Sequence, residues 1–465
     1  MAKSGYRTVS DSMGEMEVPK DAYYAAQTAR AIDNFPVSGV GLPKEFIKAM
    51  ALIKLSAAEA NMSLGLLPKN LGDAIIKAAK EVADGKLDSQ FVVDIFQTGS
   101  GTSTNMNTNE VIATRANEII GKSAKKIHPN DHINMGQSSN DSIPTAMHVS
   151  ALTEIQNSLI PSLKKLQKSL SKKARQFDKI VKIGRTHLQD ATPIRLGQEF
   201  SGYASMIEHG IARLEKVKDE LSELPIGGTA VGTGINTPKR FGSLIARNLT
   251  KITKVKFREA DNHFEAQASK DAVVQTSATL KTIAVSMMKI ANDIRWLGSG
   301  PRCGIGEIML PAVQPGSSIM PGKVNPVIAE SVTQVSAQVI GNDAAITIGG
   351  QSGNFELNVM MPMMANNLLE SIRLLTNVSH IFADKCIDGI EADKKRCEEM
   401  IEKSLAMCTS LAPIIGYDNA AAIAKEAYAT GKTVRDVALE KKVMPEKELA
   451  RVLDPFTMTE PGVPK

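Results

Sequence analysis

Leu280-Lys281-Thr282-Ile283-Ala284-Val285-Ser286-Met287-Met288-Lys289-Ile290-Ala291-Asn292-Asp293-Ile294-Arg295-Trp296-Leu297 is the stretch on which the fold turns. Leu280, Ile283, Met287, Ile290, Ile294 and Leu297 recur at steps of three and four, so they share one face of a long helix. Gly298, Gly300 and Pro301 then stop it. A helix of that length with a single apolar stripe needs other helices to bury it.

The same pattern recurs on both sides. Leu152, Ile155, Leu159, Leu163, Leu166, Leu170 and Phe177 fall on one face; so do Phe200, Tyr203, Ile207, Ile211, Leu214, Val217 and Leu221. Ile328, Val332, Val335 and Val339 begin a fourth stripe, and Leu368, Ile372, Leu375 and Phe382 a fifth. Five such helices predict a central up-and-down five-helix bundle. Shorter helical patterns at 43–65 and 70–84 precede it, and beyond Asp393 the helices shorten, punctuated by Gly416, Gly431 and Pro445. The chain therefore divides into a mainly helical N-terminal domain (1–138), a bundle (139–393) and a small C-terminal helical domain (394–465). The expected class is all-α, with at most a few short strands in the termini and connections.

Composition agrees. Aromatics are only 4% of 465 residues while Met reaches 21, which suits helix packing better than a sheet core. The net charge of +5 is small for this length. The nearest approach to a basic block, at 122–126, is too short to argue for nucleic acid. Cys303, Cys386, Cys397 and Cys408 have no paired metal-ligand spacing, so they read as free thiols of a reducing compartment. No run approaches a membrane span and the first thirteen residues lack an apolar signal core. A cytoplasmic protein is expected, with the mitochondrial matrix as the alternative for a processed eukaryotic form.

Between the helices lie polar loops. Gly316-Ser317-Ser318-Ile319-Met320-Pro321-Gly322-Lys323-Val324-Asn325-Pro326 has too much glycine and proline for a helix or central strand. Ile319, Met320 and Val324 should anchor it, amides around Gly316 and Ser317 suit an anion-binding nest, and Lys323 adds positive charge. The plainer reading makes Asn325 an N-cap and Pro326 the first residue of the next helix. Both readings are compatible. Gly99-Ser100-Gly101-Thr102-Ser103-Thr104-Asn105 lacks the Gly-Lys-Ser/Thr ending of a phosphate loop; on its own it reads as a helix cap. Further polar turns are His128-Pro129-Asn130-Asp131 and Gln137-Ser138-Ser139-Asn140-Asp141. In Gly184-Arg185-Thr186-His187-Leu188-Gln189-Asp190, a histidine falls between two long helices, where a loop meets the end of a bundle. The glycine-rich 224–234 has no dinucleotide spacing and reads as a tight connection.

The 316–326 run closely resembles the signature of the fumarase/aspartase superfamily, whose members eliminate water or an amine to leave fumarate. The segment around His187 resembles class II fumarases; aspartases usually carry Gln there. At least four motifs appear in family order from Thr98 to Asp454-Pro455. The resemblance implies reversible hydration of fumarate to L-malate with no cofactor and no metal, and the cysteine spacing argues against the unrelated iron–sulfur fumarases. It implies Ser317 as the base, acting as an alkoxide, and His187 as the group that handles the departing hydroxyl. Glu330 would be the carboxylate orienting that histidine, although an acid near a helix N-terminus is also simply favourable. Ser100, Gly101, Thr102, Ser138, Ser139, Asn140, Thr186, Ser318, Val324 and Asn325 would bind substrate. His128, Pro129, Asn130 and Asp131 resemble a second, non-catalytic carboxylate site.

The chemistry explains these residue types. Removing a proton next to a carboxylate leaves a doubly charged aci-carboxylate, which fixed donors and cations such as Lys323, Asn325 and Asn140 must stabilise. A base is needed on one face and an acid on the other. A free serine hydroxyl is too weak a base, so Lys323 and the loop amides must lower its pKa. The family also implies a homotetramer whose sites combine loops of different subunits. The alternatives are an aspartase, opposed by His187 and by Ser139 (Thr in aspartases), or a catalytically inactive relative. Intact Ser317, Lys323, Asn325, His187 and Glu330 oppose the latter.

Overall fold

The structure, a computed structural model, describes residues 5–121 and 125–462. Residues 122–124 of the basic cluster, and the first four residues of the stretch searched for a signal core, lie outside them. The chain is mainly α-helical, as expected. A hairpin, β1 (Tyr6–Asp11) and β2 (Gly14–Pro19), opens it. Then come α1 (Ala26–Asn34), α2 (Lys44–Ser63), α3 (Lys69–Ala83), α4 (Thr102–Ile120), α5 (Ser139–Glu154) and α6 (Ile160–Gln176). A second hairpin, β3 (Val181–Thr186) and β4 (Gln189–Arg195), precedes α7 (Leu196–Ser222), α8 (Phe241–Thr253), α9 (His263–Ala268) and α10 (Asp271–Leu297). After α11 (Val327–Gln351) and α12 (Met361–Lys385) follow α13 (Lys394–Lys403) and four short helices, α14–α17, spanning Ala412–Ile415, Tyr417–Thr430, Val434–Glu440 and Glu446–Val452. The remaining strands are two-residue pairs, among them Ile308–Met309 with Glu391–Ala392.

The five long segments of the bundle are α5–α6, α7, α10, α11 and α12. The stripe on α10 is buried throughout, from Leu280 to Leu297, as are Leu163, Leu166 and Leu170 on α6 and Leu368, Ile372 and Leu375 on α12. Each such side chain contributes about 1.5–3 kcal/mol on leaving water, which is what a five-turn stripe supplies and a loop does not. The first bundle segment is not one regular helix. Ile155–Leu159 forms a π turn between α5 and α6, beside Pro161, which has no N–H to give the preceding turn.

By contacts the chain forms two compact units. The first comprises residues 1–161, 211–284 and 335–376, the second 162–210, 285–334 and 377–465. Within the second, the C-terminal helices have their own core of Ile401, Met407, Leu411, Ile423, Val437 and Leu449, and Val181 of β3 packs against it.

Candidate active site

In the second unit, the 316–326 loop closes on itself. The Gly316 amide donates to the Lys323 carbonyl at 2.7 Å, and Asn325 Nδ2 donates to the Gly316 carbonyl at 2.5 Å. A Cβ on residue 316 would lie 2.6 Å from that Lys323 oxygen, so only glycine permits the closure. Ser317 Oγ accepts from the amides of Ile319 at 3.3 Å and Met320 at 3.1 Å. Two N–H dipoles aimed at a hydroxyl oxygen favour its ionised form. The nest expected from the amides around Gly316 and Ser317 does not form: the Gly316 amide is spent on closing the loop, and the amides of Ile319 and Met320 turn to Ser317 Oγ instead. Two further details differ from expectation. Asn325 spends its side chain on loop closure rather than on a cap, and α11 starts at Val327. Ile319 (83% exposed), Met320 and Val324 point outward, because backbone bonds and not apolar contacts shape the loop.

Beside it a cavity of about 1220 Å³ is lined by Lys323, Val324, Asn325 and Glu330 together with Arg295 and Asn292. Ser317, Ser318, Thr186 and His187 are not in its lining. Glu330 sits in the first turn of α11. No ion pair or side-chain hydrogen bond joins it to His187 within the chain, and neither side chain has a polar partner among the described residues.

His187 and Leu188 form the two-residue turn of the β3–β4 hairpin, Thr186 pairing with Gln189 across it. Both have left-handed backbone, with φ of 57° and 58°. This is the primed-turn geometry that normally selects Asn-Gly. His187 is exposed at the tip, and Leu188 is 67% exposed. Leu188→Gly is expected to stabilise the protein by roughly 0.5–1 kcal/mol, the relief of a left-handed leucine less the extra chain entropy of glycine. A urea midpoint that fails to rise would contradict this.

In the first unit the structure brings together three of the expected hydroxyls. Thr102 Oγ1 lies 2.9 Å from Ser100 Oγ and 2.8 Å from Ser139 Oγ. Thr102 is already the first residue of α4, with Gly101 (φ 73°) as its cap. Ser138 caps α5 in a capping box with Asp141, and Asn140 Nδ2 donates to the Ala230 carbonyl at 2.8 Å.

Comparison with known proteins gives the family of the chain. The family described as lyase matches residues 14–341, and the family described as fumarase C C-terminus matches residues 407–460. The chain is 52% identical over 464 residues to fumarate hydratase class II 2 of Bradyrhizobium diazoefficiens, covering 99% of this chain and 98% of that one. It is 54% identical over 460 residues to fumarate hydratase class II of Halobacterium salinarum, covering 98% of each. The chain belongs to the class II fumarate hydratase family. Among solved structures, recombinant class II fumarase from Schistosoma mansoni matches with a TM-score of 0.94 at 41% identity, covering 98% of this chain and 99% of that one. The fumarate lyase:delta crystallin of Brucella melitensis bound to cobalt also gives 0.94, at 46% identity and with coverage of 98% and 100%.

In this member of the family, the 128–131 segment forms a π turn, Pro129–Ile133, capped by His128. His128 Nδ1 accepts from the amides of Asn130 and Asp131, both at 3.3 Å. The Asp131 carboxylate is 3.4 Å from the same nitrogen. The two amide donors fit a bare Nδ1, which leaves the Nε2 hydrogen on the other side of the ring. Both side chains are exposed.

Sequence reading missed the buried charges behind the loops. Asp141 is fully buried and accepts from the amides of Ser138, Gly227 and Thr229 at 3.0, 3.2 and 2.9 Å. It thereby ties the substrate-loop candidate to the glycine-rich 227–229 turn. Burial pushes its carboxyl up to about 6. Lys54, also fully buried, donates to Asn105, Asn134 and Gln137 at 2.7, 3.0 and 3.0 Å. Burial pulls its ammonium down to about 7. A lysine inside the apolar run 52–58 of α2 was the available signal.

Proposed function

We propose that the chain catalyses the reversible hydration of fumarate to L-malate, with Ser317 as the base. What carries this reading is the Ser317 hydroxyl, held by two amides in a chain related along nearly its whole length to class II fumarate hydratases. In the dehydration direction Ser317 removes the proton beside the carboxylate. The resulting aci-carboxylate gathers charge that Lys323 and Asn325 stabilise, both in the lining of one cavity. His187, oriented by Glu330, protonates the departing hydroxyl. Ser100, Gly101, Thr102, Ser138, Ser139, Asn140, Thr186, Ser318 and Val324 hold the dicarboxylate. His128, Pro129, Asn130 and Asp131 form a second carboxylate site, with His128 Nε2–H available as a donor.

The working assembly in this reading is a homotetramer in which each site takes the 138–140, 186–187 and 317–325 loops from three subunits. Support comes from side chains that lack partners in one chain. The side chains of His187 and Glu330 have no polar contact among the described residues, and Ile319, Met320, Val324 and Leu188 present apolar surface to solvent. Functionally the chain divides at 138 and 393 into N-terminal, bundle and C-terminal parts. We place it in the cytoplasm, consistent with four unpaired cysteines. Among the described residues no helix is long and apolar enough to cross a membrane.

The test is fumarate absorbance after adding L-malate or L-aspartate separately to pure protein. Absorbance is expected with malate and not appreciably with aspartate. A faster reaction with aspartate would overturn both the hydratase reading and the role given to His187.

A further inference from the structure

We propose that Glu307 is a positioning residue for His187, setting the pose of the β3–β4 hairpin through Arg185 and Lys182. The inference rests on the role proposed above for His187 and adds what holds that histidine in place.

Glu307 is completely buried. Arg185 grips its two oxygens in a fork, Nη1 to Oε2 at 2.9 Å and Nη2 to Oε1 at 2.8 Å. Lys182 Nζ lies 3.3 Å from Oε2 and 3.4 Å from Glu199 Oε2, and donates to the Ile183 carbonyl at 2.9 Å. Two cations and two carboxylates thus balance inside the second unit. The backbone of Glu307 is fixed as well: its amide donates to Leu297, and its carbonyl accepts from the Asp393 amide, both at 2.9 Å. Arg396 of α13 holds the neighbouring carbonyls of Ile305 and Gly304 at 3.0 and 2.8 Å.

Such a network is a poor device for stability alone. Desolvating four charges costs about as much as their attraction returns, and apolar residues often replace buried pairs without loss. What it does supply is direction. A bidentate arginine fork fixes angle as well as distance. Both cations sit on β3, the strand that runs into the turn, and Arg185 is two residues from His187. Residues 186–190 make no side-chain hydrogen bond to any described residue, and both turn residues have left-handed backbone. The ladder is also irregular at Gly184, where the register shifts between Ile183 and Arg185. A tip with so little local support takes its pose from the grip beneath it. A displacement of about 1 Å at a catalytic group costs on the order of 10²-fold in rate.

Glu307→Gln breaks the charged fork while keeping the shape. It is expected to lower kcat for malate dehydration by about 10- to 100-fold with KM changed less than about threefold, since the carboxylate acts through a transition-state group. The decisive measurement is the double variant His187→Asn/Glu307→Gln. Once the histidine is gone its support has no proton donor left to position, so kcat of the double variant should lie within about threefold of that of His187→Asn alone, and any effect through Thr186 on the same hairpin stays within the small KM change. Rate losses that multiply, or a wild-type kcat in Glu307→Gln, overturn the proposal. Should Glu307→Gln not fold, Arg185→Lys keeps the charge and loses the fork; the same double-variant comparison then supports or overturns the proposal in the same way. A silent His187→Asn brings down the role of the histidine itself, and this proposal with it; that result is read from the single variant and is distinct from multiplying losses.

Discussion

Ser317→Ala is expected to lower malate dehydration by roughly three to four decades, the worth of a positioned base, while leaving fold and assembly intact. The hydroxyl is the only group in the loop that the reading assigns to proton removal. Its two amide donors are solvent-accessible in the chain, so losing their acceptor leaves no buried unsatisfied group. The ring closure through Gly316, Lys323 and Asn325 does not involve the serine side chain. Initial rates with L-malate, alongside circular dichroism and sedimentation, check this. Near wild-type turnover in a correctly assembled variant would mean that another group takes the proton.

The second large effect is a gain. His187→Asn and Ser317→Ala, each nearly inactive alone, are mixed, mildly denatured and reassembled. If one site draws His187 and Ser317 from different chains, random assortment in a symmetric tetramer gives roughly a quarter of sites both intact residues. Activity should then rise far above that of either parent treated alone. Hybrids of confirmed mixed composition that stay inactive would place both residues in one chain's site.

The fold was legible where periodicity is strong and uninterrupted. The α10 stripe, with its Gly298 and Pro301 stop, needs no partner to be recognised, and its residues are buried as the spacing requires. The π turn at 155–159 was not legible, because Leu152, Ile155, Leu159 and Leu163 keep a three-to-four-residue apolar spacing straight through it. At the site, the 316–326 loop announced itself through glycine, proline and hydroxyls clustered in eleven residues. The His187 hairpin did not, because a His-Leu turn carries none of the Asn-Gly chemistry that marks left-handed residues. The supporting charges are harder still. Arg185 meets Glu307 across 122 positions of sequence, and Asp141 meets Thr229 across 88. No local pattern encodes such a pairing; only the fold does.

The closure of the 316–325 loop has a dynamic consequence. Two hydrogen bonds at its ends close the segment into a ring, which opposes fraying residue by residue. Any displacement of this segment would carry the whole ring, Lys323 and Asn325 together. The Ser317 hydroxyl and its two amides ride inside the same ring, so the geometry that tunes the serine moves with it. The serine's own hydrogen-bond geometry thus depends on the closure of the ring and not on what lies beyond its ends.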